Sequence, residues 1–184
     1  WPRTKGVSLQ HKTFGIVGLG AIGKQVARRL RGFDCQVLAY DVFVDEAFAD
    51  EFGVSMTTMD ELLAASDFVT LHVPVLPGTR DMVNADFIRK MKPGAFLINT
   101  SRGELVDEAA LYEALVSGQI GGAALDAFKQ EPPGKDNPLL ALPQVIATPH
   151  MGAHADSATN AMGSMALANC LAVLKGEKPH NPVT

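Results

Sequence analysis

The chain has little with which to cross-link itself. It carries two cysteines in 184 residues, Cys35 and Cys170, far apart in sequence. A disulfide-built scaffold is thereby excluded, and both side chains read as reduced, small and buried. There is no excess of positive charge: 16 Lys and Arg stand against 20 Asp and Glu, for a net charge of −4. Nothing in that balance attracts nucleic acid or an anionic membrane. Long apolar runs are missing too. The longest are interrupted within about ten residues, half of what a bilayer-spanning helix needs. No signal peptide opens the sequence, and there is no internal repeat or low-complexity tract. What remains is a globular domain expected in a reducing cytoplasm.

Strand-like and helix-like segments alternate along almost the whole chain. Apolar runs at Phe14–Val17, Gln36–Tyr40, Phe52–Val54, Asp67–Leu71, Ala95–Ile98, Ala123–Asp126 and Val145–Ala147 read as strands. Between them, residues 21–31 place Ile22, Val26 and Leu30 on one helical stripe. Thr58 and Glu61 form a capping box. Asn84 and Asp107 are N-caps, and Gly118 ends the helix that Asp107 starts. Segment 131–143 reads as a Pro-rich loop. Residues 154–175 read as a long helix with Met162, Ala166, Cys170, Val173 and Leu174 on its buried side, and Arg28, Arg29 and Arg31 as a solvated face. Several strands are apolar without alternation, as strands covered on both faces are. The expected fold is an open, doubly wound α/β parallel sheet of the Rossmann type, with residues 1–184 forming one dinucleotide-binding domain.

The glycine pattern Gly18-Leu19-Gly20-Ala21-Ile22-Gly23 follows a strand and opens a helix, the context that gives such a motif meaning. Gly18 permits a tight turn, Gly20 lets the backbone approach a pyrophosphate, and Gly23 allows close packing. The N–H groups of Ala21 and Ile22, at the positive end of a helix dipole, suit phosphate oxygens. Asp41 ends the next strand, eighteen positions after Gly23. A carboxylate there accepts from both ribose hydroxyls and repels a 2′-phosphate, so the cofactor is expected to be NAD rather than NADP.

Further motifs make a resemblance specific. Leu71-His72-Val73-Pro74 is followed by Thr79. Asn99-Thr100-Ser101-Arg102-Gly103, Leu125-Asp126-Ala127-Phe128 with Glu131-Pro132, and Thr148-Pro149-His150-Met151-Gly152 come after it. In this order, and over nearly the whole chain, they resemble the cofactor domain of the D-isomer-specific 2-hydroxyacid dehydrogenases. The resemblance implies that Arg102 binds the substrate's carboxylate and carbonyl oxygen, a role its planar fork suits. It implies that His150 gives or takes the proton, and that Glu131 is the acid that supports the imidazolium. Glu131 also argues against the formate dehydrogenase branch, which places Gln there. By the same resemblance Asp126 holds the nicotinamide carboxamide, Thr100 and Ser101 line that ring, His72 and Pro74 lie on the adenosine side, and Thr79 and Gly152 are further cofactor-binding residues. No metal is implied.

The implied partner is a small 2-hydroxy or 2-keto acid, and a homodimer through this domain is expected. Much of the family's second lobe is absent from these residues. This chain alone is therefore expected to bind NAD and to turn over slowly or not at all. A second reading, a dinucleotide-sensing corepressor or scaffold on the same fold, shares the motifs. Its discriminator is whether NADH is consumed with a 2-keto acid.

Overall fold

The computed structural model describes residues 6–182, which form two compact units that part between Pro149 and His150. The first unit carries a seven-stranded sheet. Its strands are β1 (Thr13–Val17), β2 (Gln36–Tyr40), β3 (Val54–Met56), β4 (Phe68–Leu71), β5 (Phe96–Asn99), β6 (Gly122–Leu125) and β7 (Val145–Ala147). Every pairing is parallel, in the order β3-β2-β1-β4-β5-β6-β7. The chain starts at β1, works outward to β3, then returns to place β4 on the other side of β1. The β1/β4 boundary is thus the switch point, where sheets of this kind bind ligands at the carboxyl ends of their strands.

Alternate residues of each strand feed two cores on opposite faces of the sheet. Val17, Val69, Leu71, Leu97 and Leu125 pack with α3 (Met59–Ala65), α4 (Ala85–Lys90) and α5 (Glu108–Val116). Phe14, Ile16, Ala39 and Phe68 pack with α1 (Ala21–Leu30) and α2 (Glu46–Phe52). The register aligns Phe14 with Phe68 and Phe68 with Phe96, and their rings stack at 4.7 and 5.2 Å between centroids. Caps fix the helix starts where the sequence places them. Thr58 and Glu61 cap α3 reciprocally, Asn84 caps α4 and Asp107 caps α5. Gly118 follows α5 at φ 76°.

Several local expectations are corrected. The buried stripe of α1 is Gly23, Ala27 and Leu30, and Ile22 is 67% exposed. The stripe is offset because a small residue, Gly23, takes the position nearest the glycine turn. Phe52 ends α2 rather than opening a strand, and β3 begins at Val54. The Asp45 side chain, which accepts from the Phe48 N–H, caps that unforeseen helix. The loop at 131–143 contains a 3-10 turn, Pro138–Ala141, built on buried Leu139. Arg28 and Arg31 are not merely solvated, because both guanidinium groups stack on the Phe52 ring, at 4.8 and 5.6 Å. Cys35 is half-buried and Cys170 exposed.

The second unit is built on α6 (Asp156–Leu174), and Asn169 accepts there from the N–H groups of His180 and Asn181. The buried side expected for this helix is not found. Met162, Val173 and Leu174 are exposed, and its buried residue is Ala172. Among its described residues this unit supplies no second layer to cover them.

Candidate cofactor and substrate site

The glycine turn is shaped by contacts that differ from one glycine to the next. Gly18 has φ 97°, and a Cβ there would lie 2.8 Å from the His72 backbone carbonyl. A Cβ on Gly23 would lie 2.1 Å from the Gly18 oxygen. These two positions are therefore glycine for packing reasons. A Cβ on Gly20 would meet nothing within 4 Å. Protein packing does not require glycine at 20, and the open space there fits the close approach of a pyrophosphate. The N-terminus of α1 agrees: Gly20 caps it without a side chain and its first turn holds no acid. Its N–H groups and dipole are left to an anion.

Asp41 stands beside this turn, just past β2. Its Oδ2 accepts from the Leu19 N–H at 2.6 Å and its Oδ1 from the Phe43 N–H at 3.0 Å. A carboxylate has about four acceptor sites, so two backbone donors leave capacity for ribose hydroxyls. Asp41, Gly18, Gly20, His72, Pro74 and Thr79 line one cleft of about 660 Å³. Thr79 shapes its wall by donating to the Pro74 carbonyl (2.7 Å) and accepting from the Leu76 N–H (2.8 Å). His72 forms part of the floor. Burial pushes its imidazole down to about 4, and its Nε2 lies 3.0 Å from the Thr70 hydroxyl. The ring is neutral at physiological pH.

A second hollow of about 480 Å³ shares His72, Val73 and Pro74 with that cleft and adds Ile22, Ser101, Arg102 and Glu104. The expected substrate-binding arginine therefore lies on a hollow that adjoins the dinucleotide cleft. Arg102 follows β5 and is exposed, with one guanidinium N–H on the Ser101 carbonyl at 2.8 Å. The turn that presents it is held from below by buried Asn99. Its side-chain amide donates to the Arg102 carbonyl (2.9 Å) and its oxygen accepts from the Ser101 N–H (3.0 Å). Ser101 in turn donates to the Val73 carbonyl at 3.1 Å, tying the β5 rim to the β4 rim.

Across the sheet edge, Asp126 is buried just after β6 and accepts from the Thr148 hydroxyl at 2.6 Å. Glu131 is exposed in the following loop, and its Oε1 accepts from the Phe128 N–H at 3.0 Å. Ala21 and Thr100 are exposed at the start of α1 and the end of β5. His150, at φ 49°, opens the second unit, which also contains Gly152.

Sequence reasoning passed over the apolar wall of the cleft. Val42 and Phe43 line it and are 76% and 85% exposed. Their signal is an apolar run, Val42-Phe43-Val44, that no strand or helix period uses, directly behind Asp41. Asn99 stands in one of the motifs but has no role assigned from the sequence, because a buried strand-end amide carries no distinctive spacing.

A glycine turn at the switch point, an uncapped helix start and a strand-end carboxylate over an apolar cleft define a dinucleotide-binding domain of the α/β class. Residues 1–152 match the family described as D-isomer specific 2-hydroxyacid dehydrogenase, NAD binding domain, and the chain belongs to that family. Over 182 residues it is 45% identical to the D-3-phosphoglycerate dehydrogenase of Methanocaldococcus jannaschii, pairing 98% of this chain with 34% of that protein. It is 44% identical over 178 residues to the glyoxylate reductase of Korarchaeum cryptofilum, 97% of this chain and 54% of that one. The chain thus spans about a third of the first of these relatives and about half of the second.

Among solved structures, one similar chain is the NAD-complexed D-isomer specific 2-hydroxyacid dehydrogenase of Lactobacillus delbrueckii ssp. bulgaricus. Its TM-score is 0.89 at 32% identity, covering all of this chain and 60% of that one. The pyruvate reductase of Chlamydomonas reinhardtii gives 0.90 at 40% identity, over 96% and 58%. The cofactor is NAD, as Asp41 leads one to expect. No described helix is long and apolar enough to cross a membrane.

Proposed function

We propose that this domain serves an oxidoreductase that moves a hydride between NAD(H) and a small 2-hydroxy or 2-keto acid, of the 3-phosphoglycerate, glycerate/hydroxypyruvate or glyoxylate type. The observation that carries the reading is Arg102, exposed on a hollow that adjoins the dinucleotide cleft through His72, Val73 and Pro74. A guanidinium on a hollow beside a dinucleotide cleft suits a substrate that is itself a carboxylate. The names of the two relatives above support the substrate class.

When bound, NADH supplies the hydride that reduces a keto carbon. Gly18, Gly20 and the first N–H groups of α1 would hold its pyrophosphate and Asp41 its adenosine ribose. Arg102 binds the substrate carboxylate and polarises the carbonyl, which fixes the face presented to the hydride. His150 donates a proton to the carbonyl oxygen during reduction and takes it back during oxidation. Glu131 is the carboxylate that favours the imidazolium form of His150. The roles of these last two rest on motif position and resemblance. The proposal includes a homodimer and a cytoplasmic location, both taken from the family resemblance and the sparse cysteines.

The test is NADH consumption by the complete protein that carries this domain, with hydroxypyruvate, glyoxylate and a phosphorylated 2-keto acid. One of these should be reduced in preference, with NADH favoured over NADPH. If none is reduced while NADH binds, the domain serves a binding function instead.

A further inference from the structure

We propose that Glu108 is a positioning residue for Glu131, holding the loop that carries it from both sides. This deepens the proposed function and rests on its reading of Glu131 as the acid behind the proton carrier. Glu108 lies in the first turn of α5. That end of the helix is already capped, because Asp107 Oδ1 accepts from the N–H groups of Ala109 and Ala110. The Glu108 carboxylate is therefore not needed at its own helix terminus.

Both its oxygens are used on the β6–β7 loop instead. Oε1 accepts from the Lys129 N–H at 2.9 Å, and Oε2 from the Asn137 side-chain amide at 2.9 Å. These contacts lie on either side of Glu131, so one carboxylate spans the segment that bears the other. Asn137 is itself anchored: its Oδ1 accepts from the Leu139 N–H at 3.1 Å, and Leu139 is fully buried.

The near end of the loop has a second support. A Cβ on Gly103 would lie 1.9 Å from the Phe128 carbonyl carbon, so the residue after Arg102 packs directly on the Phe128 peptide. The N–H of that same Phe128 donates to Glu131 Oε1. Lys129 completes the tie through an ion pair with Asp81. Lys129, Gln130, Glu131 and Pro132 are all exposed. A misplacement of about 1 Å in a reacting group can cost about a hundredfold in rate, so such a loop needs an external brace.

The experiment compares variants of the complete protein that carries this domain in keto-acid reduction, with NADH affinity measured on each sample. Glu131→Gln comes first. If it leaves kcat unchanged, there is no acid to position, and both this inference and the role given to Glu131 fall. If it lowers kcat, Glu108→Gln should lower kcat about tenfold and Glu108→Ala about a hundredfold, with the NADH Kd within about twofold of the parent.

The decisive arm is the pair Glu108→Gln with Asn137→Asp. The new amide donates to the new carboxylate while its oxygen still accepts from Lys129, so the brace is rebuilt with reversed polarity. Recovery of kcat to within about threefold of the parent is the expected result. Loss in Glu131→Gln with full activity in Glu108→Ala, or no recovery in the pair, overturns the inference and leaves the reading of Glu131 standing.

Discussion

The Asp41 carboxylate accepts the N–H of Leu19 at 2.6 Å, so the acid we assign to the ribose also fastens the glycine turn we assign to the pyrophosphate. The two proposed halves of the dinucleotide site are therefore joined by a direct hydrogen bond. In the proposed reading this carboxylate both sets the turn and keeps a phosphate off the adjoining ribose.

Asp41→Asn keeps an acceptor for Leu19 but removes the charge. It should reduce the preference for NADH over NADPH by at least about tenfold, since one charge-assisted contact is worth about 1.5–3 kcal/mol. Fluorescence titrations with both reduced dinucleotides measure this. An unchanged ratio would show that Asp41 does not choose the cofactor.

Gly20 and Gly23 separate binding from folding. A Cβ on Gly20 meets no protein atom within 4 Å, so Gly20→Ala should cost less than about 1 kcal/mol, that of a weaker helix N-cap, while NADH affinity falls by tenfold or more. Gly23→Ala drives a methyl to 2.1 Å from the Gly18 oxygen and should cost about 1–3 kcal/mol of stability. Urea unfolding beside NADH titration resolves the two. Equal destabilisation by both would refute the assignment of Gly20 to the ligand.

His72 gives the fold an acid sensitivity. Its folded value of about 4 lies below the ordinary 6.5, so burial favours the neutral ring. Above pH 6.5 the ring is neutral in both states and costs nothing. As pH falls from 6.5 toward 4 the unfolded chain takes up a proton that the folded chain refuses, and stability is lost by about 3 kcal/mol in total. Urea midpoints of the parent and of His72→Gln, compared at pH 7, 5.5 and 4, should converge as pH falls. A constant gap would place His72 in contact with solvent.

Much of this was legible because it is local chemistry. Thr58 with Glu61, Asn84 and Asp107 mark helix starts by side-chain hydrogen bonds that need no tertiary context. The glycine turn and Asp41 were legible because each has a backbone or charge requirement that few residue types meet. The misreadings were of tertiary origin. Ile22 and Gly23 compete for the buried stripe of α1, and only the close approach of Gly18 decides for the glycine. Helix α2 spans just seven residues, too few to show a period, and is signalled by the Asp45 cap alone. The Glu108 brace joins residues 21 and 29 positions away, a separation no motif encodes.

The central claim is that Arg102 holds a substrate carboxylate beside bound NAD. The direct measurement is kcat/KM for the preferred 2-keto acid in the complete protein that carries this domain, against the NADH Kd, for the parent and Arg102→Ala. The expected result is a loss of about a hundredfold or more in kcat/KM with NADH binding intact. Retention of keto-acid turnover in Arg102→Ala would contradict it.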